Sequence, residues 1–184
     1  MDLIKDKFYG LTIGCAIGDA MGSAADILQQ EGSEEPVVSP EIAEGYWNEG
    51  CTLMLCEIVH LTENVNFWSL LSLVVDTGYL SSTGEVTNLN RRTLSMTHGV
   101  PEACNHNTDC LLLVSGVAMY YVRNYEQGMV QAYNIPLAAD CALCKDACKF
   151  FHALLDLALH GASKKSILSL SSYANLNLKP EVRS

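Results

Sequence analysis

Basic residues are scarce in this sequence, which has 11 Lys and Arg against 21 Asp and Glu and a formal net charge of −10. Nonspecific binding to DNA or RNA depends on cationic side chains that neutralise phosphates. The composition therefore argues against direct nucleic-acid binding. It suits a partner with a basic surface, although many acidic proteins are simply well solvated.

Long hydrophobic runs are also missing. The longest nearly unbroken one, residues 111–122, is far shorter than the roughly 20 residues that a membrane-spanning helix needs. The first residues mix Asp and Lys, and no clean cleavage site follows them, so a secretory signal is not expected. We expect a cytoplasmic protein that makes no contact with a membrane.

Familiar catalytic motifs are absent as well. The sequence has no Walker or dinucleotide-binding glycine motif. It has no local signature of a Ser/His/Asp or Cys/His nucleophile. No internal repeat is visible either. These common classes of enzyme are therefore not indicated.

Cysteine is plentiful, with eight residues that we expect to be reduced in a chain without a secretory signal. Cys141, Cys144 and Cys148 recur at helical spacing, with His152 one turn further along. They either form a zinc site or lie as small apolar residues on a buried helix face. We favour the second interpretation, because the spacing fits a tetrahedral site poorly. A looser cluster of cysteine and histidine at 104, 106 and 110 is interpreted in the same way.

Apolar residues follow a helical period through most of the chain. The predicted helices cover residues 3–21, 51–61, 67–75, 91–96, 111–122, 139–160 and 164–171. Gly161 is predicted to end the helix before it, and Ser163 to cap the next one. Gly116 allows a break in the 111–122 helix. The pattern predicts the all-α class, with one helical domain in residues 1–174 and a flexible tail in 175–184.

Four glycines, Gly10, Gly14, Gly18 and Gly22, fall on one face of the first predicted helix. Each glycine destabilises a helix by roughly 1 kcal/mol relative to Ala, so four of them indicate a packing or functional reason. Their spacing lets another backbone approach closely. Asp19, the single acid among them, either caps a backbone or faces a site.

Two blocks, residues 10–22 and 45–55, resemble the N-terminal part of the ADP-ribosylglycohydrolase family. That family reads G-x-x-x-G-x-A-x-G-D-A-x-G-x-P-x-E in the first block and G-x-W-T-D-D-T-x-M-x-L in the second. The resemblance continues more weakly through 91–122 and 139–168. It implies orthogonal or bundled helices like the N-terminal two-thirds of the family fold. It also implies binding of two magnesium ions that help cleave ADP-ribose from an acceptor.

The positions that hold magnesium in the family differ in this chain. Carried over, Thr-Asp-Asp becomes Asn48, Glu49 and Gly50, so one carboxylate of two remains. The C-terminal Asp-x-Asp-Thr block of the family is absent, because the single acid beyond Ser163 is Glu181. A two-metal site needs several oxygen ligands held close together. We therefore predict a protein without a metal cofactor and without catalytic residues.

Other polar positions of the family are replaced too. Its arginine before the central helix corresponds to Leu113, and its Thr-His pair corresponds to Ala138 and Ala139. The glutamate that follows the first glycine block becomes Asp26, which keeps a carboxylate. The helical frame thus resembles the family more closely than its chemistry does.

Five residues are candidates for binding a ligand: Asp19, Asp26, Trp47, Asn48 and Glu49. The three acids either meet at the mouth of the former cleft or serve as a helix cap and two solvated charges. Trp47 either stacks on an adenine-like ring or belongs to the core.

We expect a non-catalytic protein that acts by binding. Its ligand is a protein partner, met through an acidic or apolar surface, or an ADP-ribose-like nucleotide; a homodimer is also expected. Such a protein suits an inhibitor or regulator of a defence or nucleic-acid-handling system. The alternatives are a divergent ADP-ribosyl hydrolase with rearranged magnesium ligation, for which Glu49 is the main residue, and a purely structural subunit.

Overall fold

The computed structural model of the protein describes residues 2–31, 47–85, 91–97 and 108–183. The helices in this part of the chain are α1 Asp2–Glu31, α2 Glu49–Glu63, α3 Phe67–Thr77, α4 Arg91–Thr97, α5 Asp109–Tyr120, α6 Tyr125–Tyr133, α7 Ala142–Leu159, α8 Lys164–Ile167 and α9 Pro180–Arg183. Short 3-10 helices cover Pro136–Ala138 and Leu170–Tyr173. No strand occurs within these ranges, so the all-α prediction is confirmed. None of the helices described has the length and apolar character needed to cross a lipid bilayer.

Several helices differ from the predictions at their ends. α1 continues to Glu31, ten residues beyond the predicted end, because residues 23–31 include several good helix formers and no proline. α5 runs through Gly116 without a break. α7 begins later than predicted, at Ala142, since a 3-10 turn precedes it. The predicted 164–171 helix is divided into α8 and a 3-10 helix.

Local capping signals explain where α7 ends and α8 begins. Gly161 has a φ of +81°, a conformation that glycine adopts without strain. Its N–H donates to the Ala158 carbonyl at 3.0 Å, and the Ala162 N–H donates to the Leu157 carbonyl at 2.9 Å, which together form a Schellman motif. The Ser163 hydroxyl then accepts the N–H of Ser166 at 3.1 Å. Both predicted caps are confirmed.

α5 is the central helix of the core. It packs against α2, α6 and α7, and its buried residues cover more than one face, as the apolar run in 111–122 predicted. Leu113, Val114 and Val117 are fully buried. Burying side chains of this size stabilises the fold by roughly 1.5–3 kcal/mol each. The neighbours of α5 are therefore held in place around it.

Two hydrogen bonds attach the ends of the chain to α7. The Lys7 ammonium of α1 donates to the Leu159 carbonyl at 2.7 Å, where a cation is favoured by the dipole at the helix C-terminus. Near the other end, the Lys179 N–H donates to the Asp146 carboxylate at 2.9 Å, and Leu178 is buried. The flexibility expected for residues 175–184 stays a prediction.

A buried histidine fixes the contact between α6 and α7. His152 is 1% exposed, and burial lowers its pKa to about 4. A Cβ atom added to Gly128 of α6 would overlap its Nε2 atom and lie 3.1 Å from the Tyr121 Cβ atom. Because His152 is enclosed, it has little room to move aside. Gly128 is therefore a close-packing position.

We expect Gly128→Ala to lower the free energy of unfolding by about 1–3 kcal/mol, as overpacking of a core usually does. Glycine to alanine in a helix ordinarily stabilises by about 1 kcal/mol. Gly14→Ala on α1 is the matched control, since nothing lies within 4 Å of the added carbon. Urea denaturation followed by circular dichroism measures both effects. Effects of the same sign would contradict the assigned packing.

Candidate functional site

A groove with a volume of about 430 Å³ opens between α1, α2, α5 and α7. Most of its wall is apolar, including Met54, Leu111, Leu112 and Phe151. Asp19, Asn48 and Ser115 also line it and carry polar side chains. The backbone of α1 also reaches the wall, at Gly14 and Gly18. The groove thus lies where the two sequence blocks 10–22 and 45–55 meet.

The Asp19 carboxylate caps α2 from the neighbouring helix. Its Oδ2 atom accepts the backbone N–H of Asn48 at 2.8 Å and that of Cys51 at 3.0 Å. Asn48 is the N-cap residue, but its own side chain makes no capping bond. Asp19 therefore supplies the acceptor that an N-cap side chain normally provides, and its charge suits the positive end of the helix dipole.

Opposing effects act on the pKa of the Asp19 carboxyl group. Burial has the largest effect and raises its pKa, while the N–H groups of Cys51 and Asn48 lower it. The nearby Glu49 carboxylate raises it further, because two like charges disfavour ionisation. Asp19 and Glu49 are therefore near enough to repel each other.

Gly50 makes room for this arrangement. A Cβ atom at position 50 would lie 2.5 Å from Asp19 Oδ1 and 3.0 Å from its Cγ. In the resemblance drawn from the sequence, position 50 is aligned with the second aspartate of the family. In this chain the carboxylate of Asp19 occupies the space beside it.

The structure brings four of the five candidate residues together at the start of α2. Trp47 packs against the buried cluster of Cys51 and Met54, and its indole N–H is buried without a hydrogen-bond partner. Its carbonyl accepts the Ser82 hydroxyl at 2.5 Å. Asn48 lines the groove and Glu49 is half-buried. Asp26 belongs to α1, but its side chain is outside the described part of the structure.

The cysteines are arranged differently from the predicted clusters. Cys110 of α5 contacts Cys144 and Cys148 of α7 through sulfur hydrogen bonds, while residues 104 and 106 lie outside the described ranges. The Cys148 bond to Cys110 and burial raise the pKa of Cys148. Cys141 is disulfide-bonded, so the prediction of reduced thiols is wrong there; the other six described cysteines are thiols. Within the described residues, no group of three Cys, His, Asp or Glu side chains is arranged to hold a metal ion.

Sequence reasoning missed one unusual residue, Glu57 of α2. It is 0% exposed, and neither carboxylate oxygen has a hydrogen-bond partner. Burial raises its pKa to about 7. A signal was present, because Glu57 follows Gly50, Leu53 and Met54 at the spacing of one helix face. An acid on that apolar face predicts a buried carboxyl.

Comparison of this chain with protein-family models, with curated proteins and with solved structures found no match. The likeness to ADP-ribosylglycohydrolases therefore rests on the two sequence blocks. Residues of both blocks, in α1 and at the start of α2, line the groove. The geometry of the groove is accordingly the basis for a functional proposal.

Proposed function

We propose that this protein is a non-catalytic relative of the ADP-ribosylglycohydrolases that binds a segment of a protein in the groove between α1, α2, α5 and α7. The observation that carries the proposal is the chemistry of the groove. Its walls are mostly apolar, and its carboxylate Asp19 is held by the backbone N–H groups of α2. Because the Asp19 carboxylate already caps α2, we infer that the groove binds its ligand mainly by shape and apolar contact.

The charges around the groove favour a protein segment over a nucleotide. None of the described lining residues is Lys or Arg. The diphosphate of ADP-ribose would meet no cation there and would lie near the like charges of Asp19 and Glu49. Apolar side chains gain roughly 25 cal/mol for each Å² removed from water. A segment with apolar anchors therefore suits the groove better than a nucleotide does.

A divergent ADP-ribosyl hydrolase remains the second candidate. The observation that favours it is the proximity of Asp19 and Glu49, since paired carboxylates are the usual ligands of magnesium. A two-metal mechanism requires further oxygen ligands beyond this pair. Under the first candidate, binding in the groove would serve a regulatory or inhibitory role.

Binding of the neutral apolar dye Nile red tests the groove. We expect saturable fluorescence with wild type and an affinity about tenfold lower for Leu112→Lys, because the ammonium would enter the apolar wall. Val130→Lys is the matched control: Val130 is 61% exposed on α6 and does not line the groove. Equal affinities for the two variants would contradict the proposal.

Calorimetric titration with ADP-ribose, with and without magnesium, separates the candidates. We expect no binding heat in either condition. Heat that requires magnesium, together with release of ADP-ribose from a modified protein, would support the hydrolase instead. Heat without magnesium would identify a nucleotide-binding protein.

A further inference from the structure

α1 carries an apolar face that the described residues of its own chain leave open. Tyr9, Ile13, Ile17 and Met21 form a ridge along the helix and are 55%, 56%, 55% and 67% exposed. Beside this ridge, three glycines at the same four-residue spacing form a channel, Gly10, Gly14 and Gly18. A Cβ atom added to any of them would have nothing within 4 Å. We call the ridge and channel together the α1 face.

The α1 face is chemically unlike a solvated helix surface. Residues 8–18 contain no charged side chain, whereas an exposed helix face is normally charged or polar. Contiguous exposed apolar patches mark interaction sites in soluble proteins. The glycines also support an interaction site, because they weaken an isolated helix and no atom in the described part of the chain lies within 4 Å of a Cβ added to them.

The α1 face is complementary to itself. Its ridge and its channel repeat every four residues and lie side by side, so the ridge of one copy fits the channel of another when the two helices cross. In a dimer with a twofold axis, the ridge of each copy packs into the channel of the other, which makes the interface isologous. The channel opens into the groove at Gly14 and Gly18. We propose that the protein segment bound there is α1 of a second copy of this chain.

This inference rests on the proposed function, since it names the partner for the same groove. The area is adequate for a weak dimer. A side chain of this size exposes on the order of 200 Å² when free. The four ridge side chains are each more than half exposed. The ridges of two copies together would therefore bury roughly 800 Å², to which the glycine backbone adds. Self-association is therefore expected to depend on concentration.

Sedimentation velocity over a range of concentrations tests the dimer. We expect wild type to shift toward twice the mass of the chain as concentration rises. Ile17→Glu, which places a charge on the ridge, and Gly14→Leu, which fills the channel, should each weaken association at least tenfold. Leu168→Glu is the matched control, because Leu168 is 68% exposed just after α8 and away from the α1 face. It should associate as wild type does.

Gly14→Leu distinguishes specific packing from general stickiness. The substitution makes the surface more apolar, and its Cβ atom would have nothing within 4 Å. We expect the fold to be retained, which circular dichroism checks. Association as strong as that of wild type in this variant, or a wild type that stays monomeric, would overturn the dimer. The proposed function is judged separately, since monomeric Ile17→Glu should still bind Nile red in a manner sensitive to Leu112→Lys. Loss of that dye binding would overturn the groove itself.

Discussion

Gly50→Ala is expected to lower the free energy of unfolding by about 2–3 kcal/mol. The new methyl carbon would lie 2.5 Å from Asp19 Oδ1, so the carboxylate must turn away from the start of α2. Loss of a helix cap removes about 1 kcal/mol, and a half-buried carboxylate left without its donors adds about 1–3 kcal/mol. Urea denaturation measures the sum. Gly18→Ala, with open space around the added carbon, is the matched control.

A double-mutant cycle shows whether Asp19 is the cause. Asp19→Ala alone should destabilise by about 1–2 kcal/mol through loss of the cap. In that background Gly50→Ala should be neutral or slightly stabilising, since the atom it collides with is gone. The coupling free energy is then about 2–3 kcal/mol, at the upper end for contacting residues. If Gly50→Ala lowers the free energy of unfolding equally in both backgrounds, Asp19 does not occupy the space beside position 50.

This cycle bears directly on function. It tests whether the space beside position 50 is taken by a structural carboxylate. A carboxylate in that space gives the protein a firm α1–α2 contact on one wall of its groove. It also commits Asp19 to the helix terminus, where a ligand would have to compete with backbone donors.

Glu57→Met is expected to make the protein more stable, and increasingly so as pH rises. The wild-type carboxyl has a pKa of about 7 when folded, against an ordinary value of 4.5. Below pH 4.5 it is protonated in both states and pH has no effect through it. Between pH 4.5 and about 7 the unfolded chain loses the proton while the folded protein keeps it. The free energy of unfolding therefore falls by about 1.4 kcal/mol per pH unit, or about 3 kcal/mol in all, and stays low above pH 7.

Urea denaturation at pH 5 and pH 8 measures the difference between Glu57→Met and wild type, which should widen by about 2–3 kcal/mol. Cys56 and Tyr121 are the titratable groups near this carboxyl, and both are present in wild type and in Glu57→Met. His152, whose lowered pKa gives the opposite slope at acid pH, is also unchanged and cancels. The exposed Glu63 at the end of α2 supplies the control Glu63→Gln. Parallel pH profiles for Glu57→Met and wild type would show that Glu57 is not enclosed.

If Glu57→Met fails to fold, Glu57→Gln provides the same test with smaller change in polarity. An amide cannot ionise, so its stability should lack the decline between pH 4.5 and 7. A decline equal to that of wild type would place the titrating group elsewhere. Either variant leaves the groove intact, because Glu57 does not line it.

Helix positions and caps were largely readable from the sequence. The 3.6-residue apolar period of 51–61 predicted α2, and the run in 111–122 predicted a central helix buried on several sides. Gly161 and Ser163 marked a helix end and a helix start. These signals act between residues at most a few positions apart, so one sequence contains both partners of each interaction.

The amino-acid sequence by itself determined the all-α class, the series of helices and the grouping of small residues along α1. Only the tertiary structure decided that Asp19 caps α2 beside Gly50, that Cys110 meets Cys144 and Cys148, and that Glu57 is enclosed. It also decided that the glycine channel of α1 faces outward, where the sequence had indicated only close packing. The physical reason is range: each of these facts depends on how helices distant in the chain pack together, and side-chain periodicity sets which face is apolar but not what lies against it.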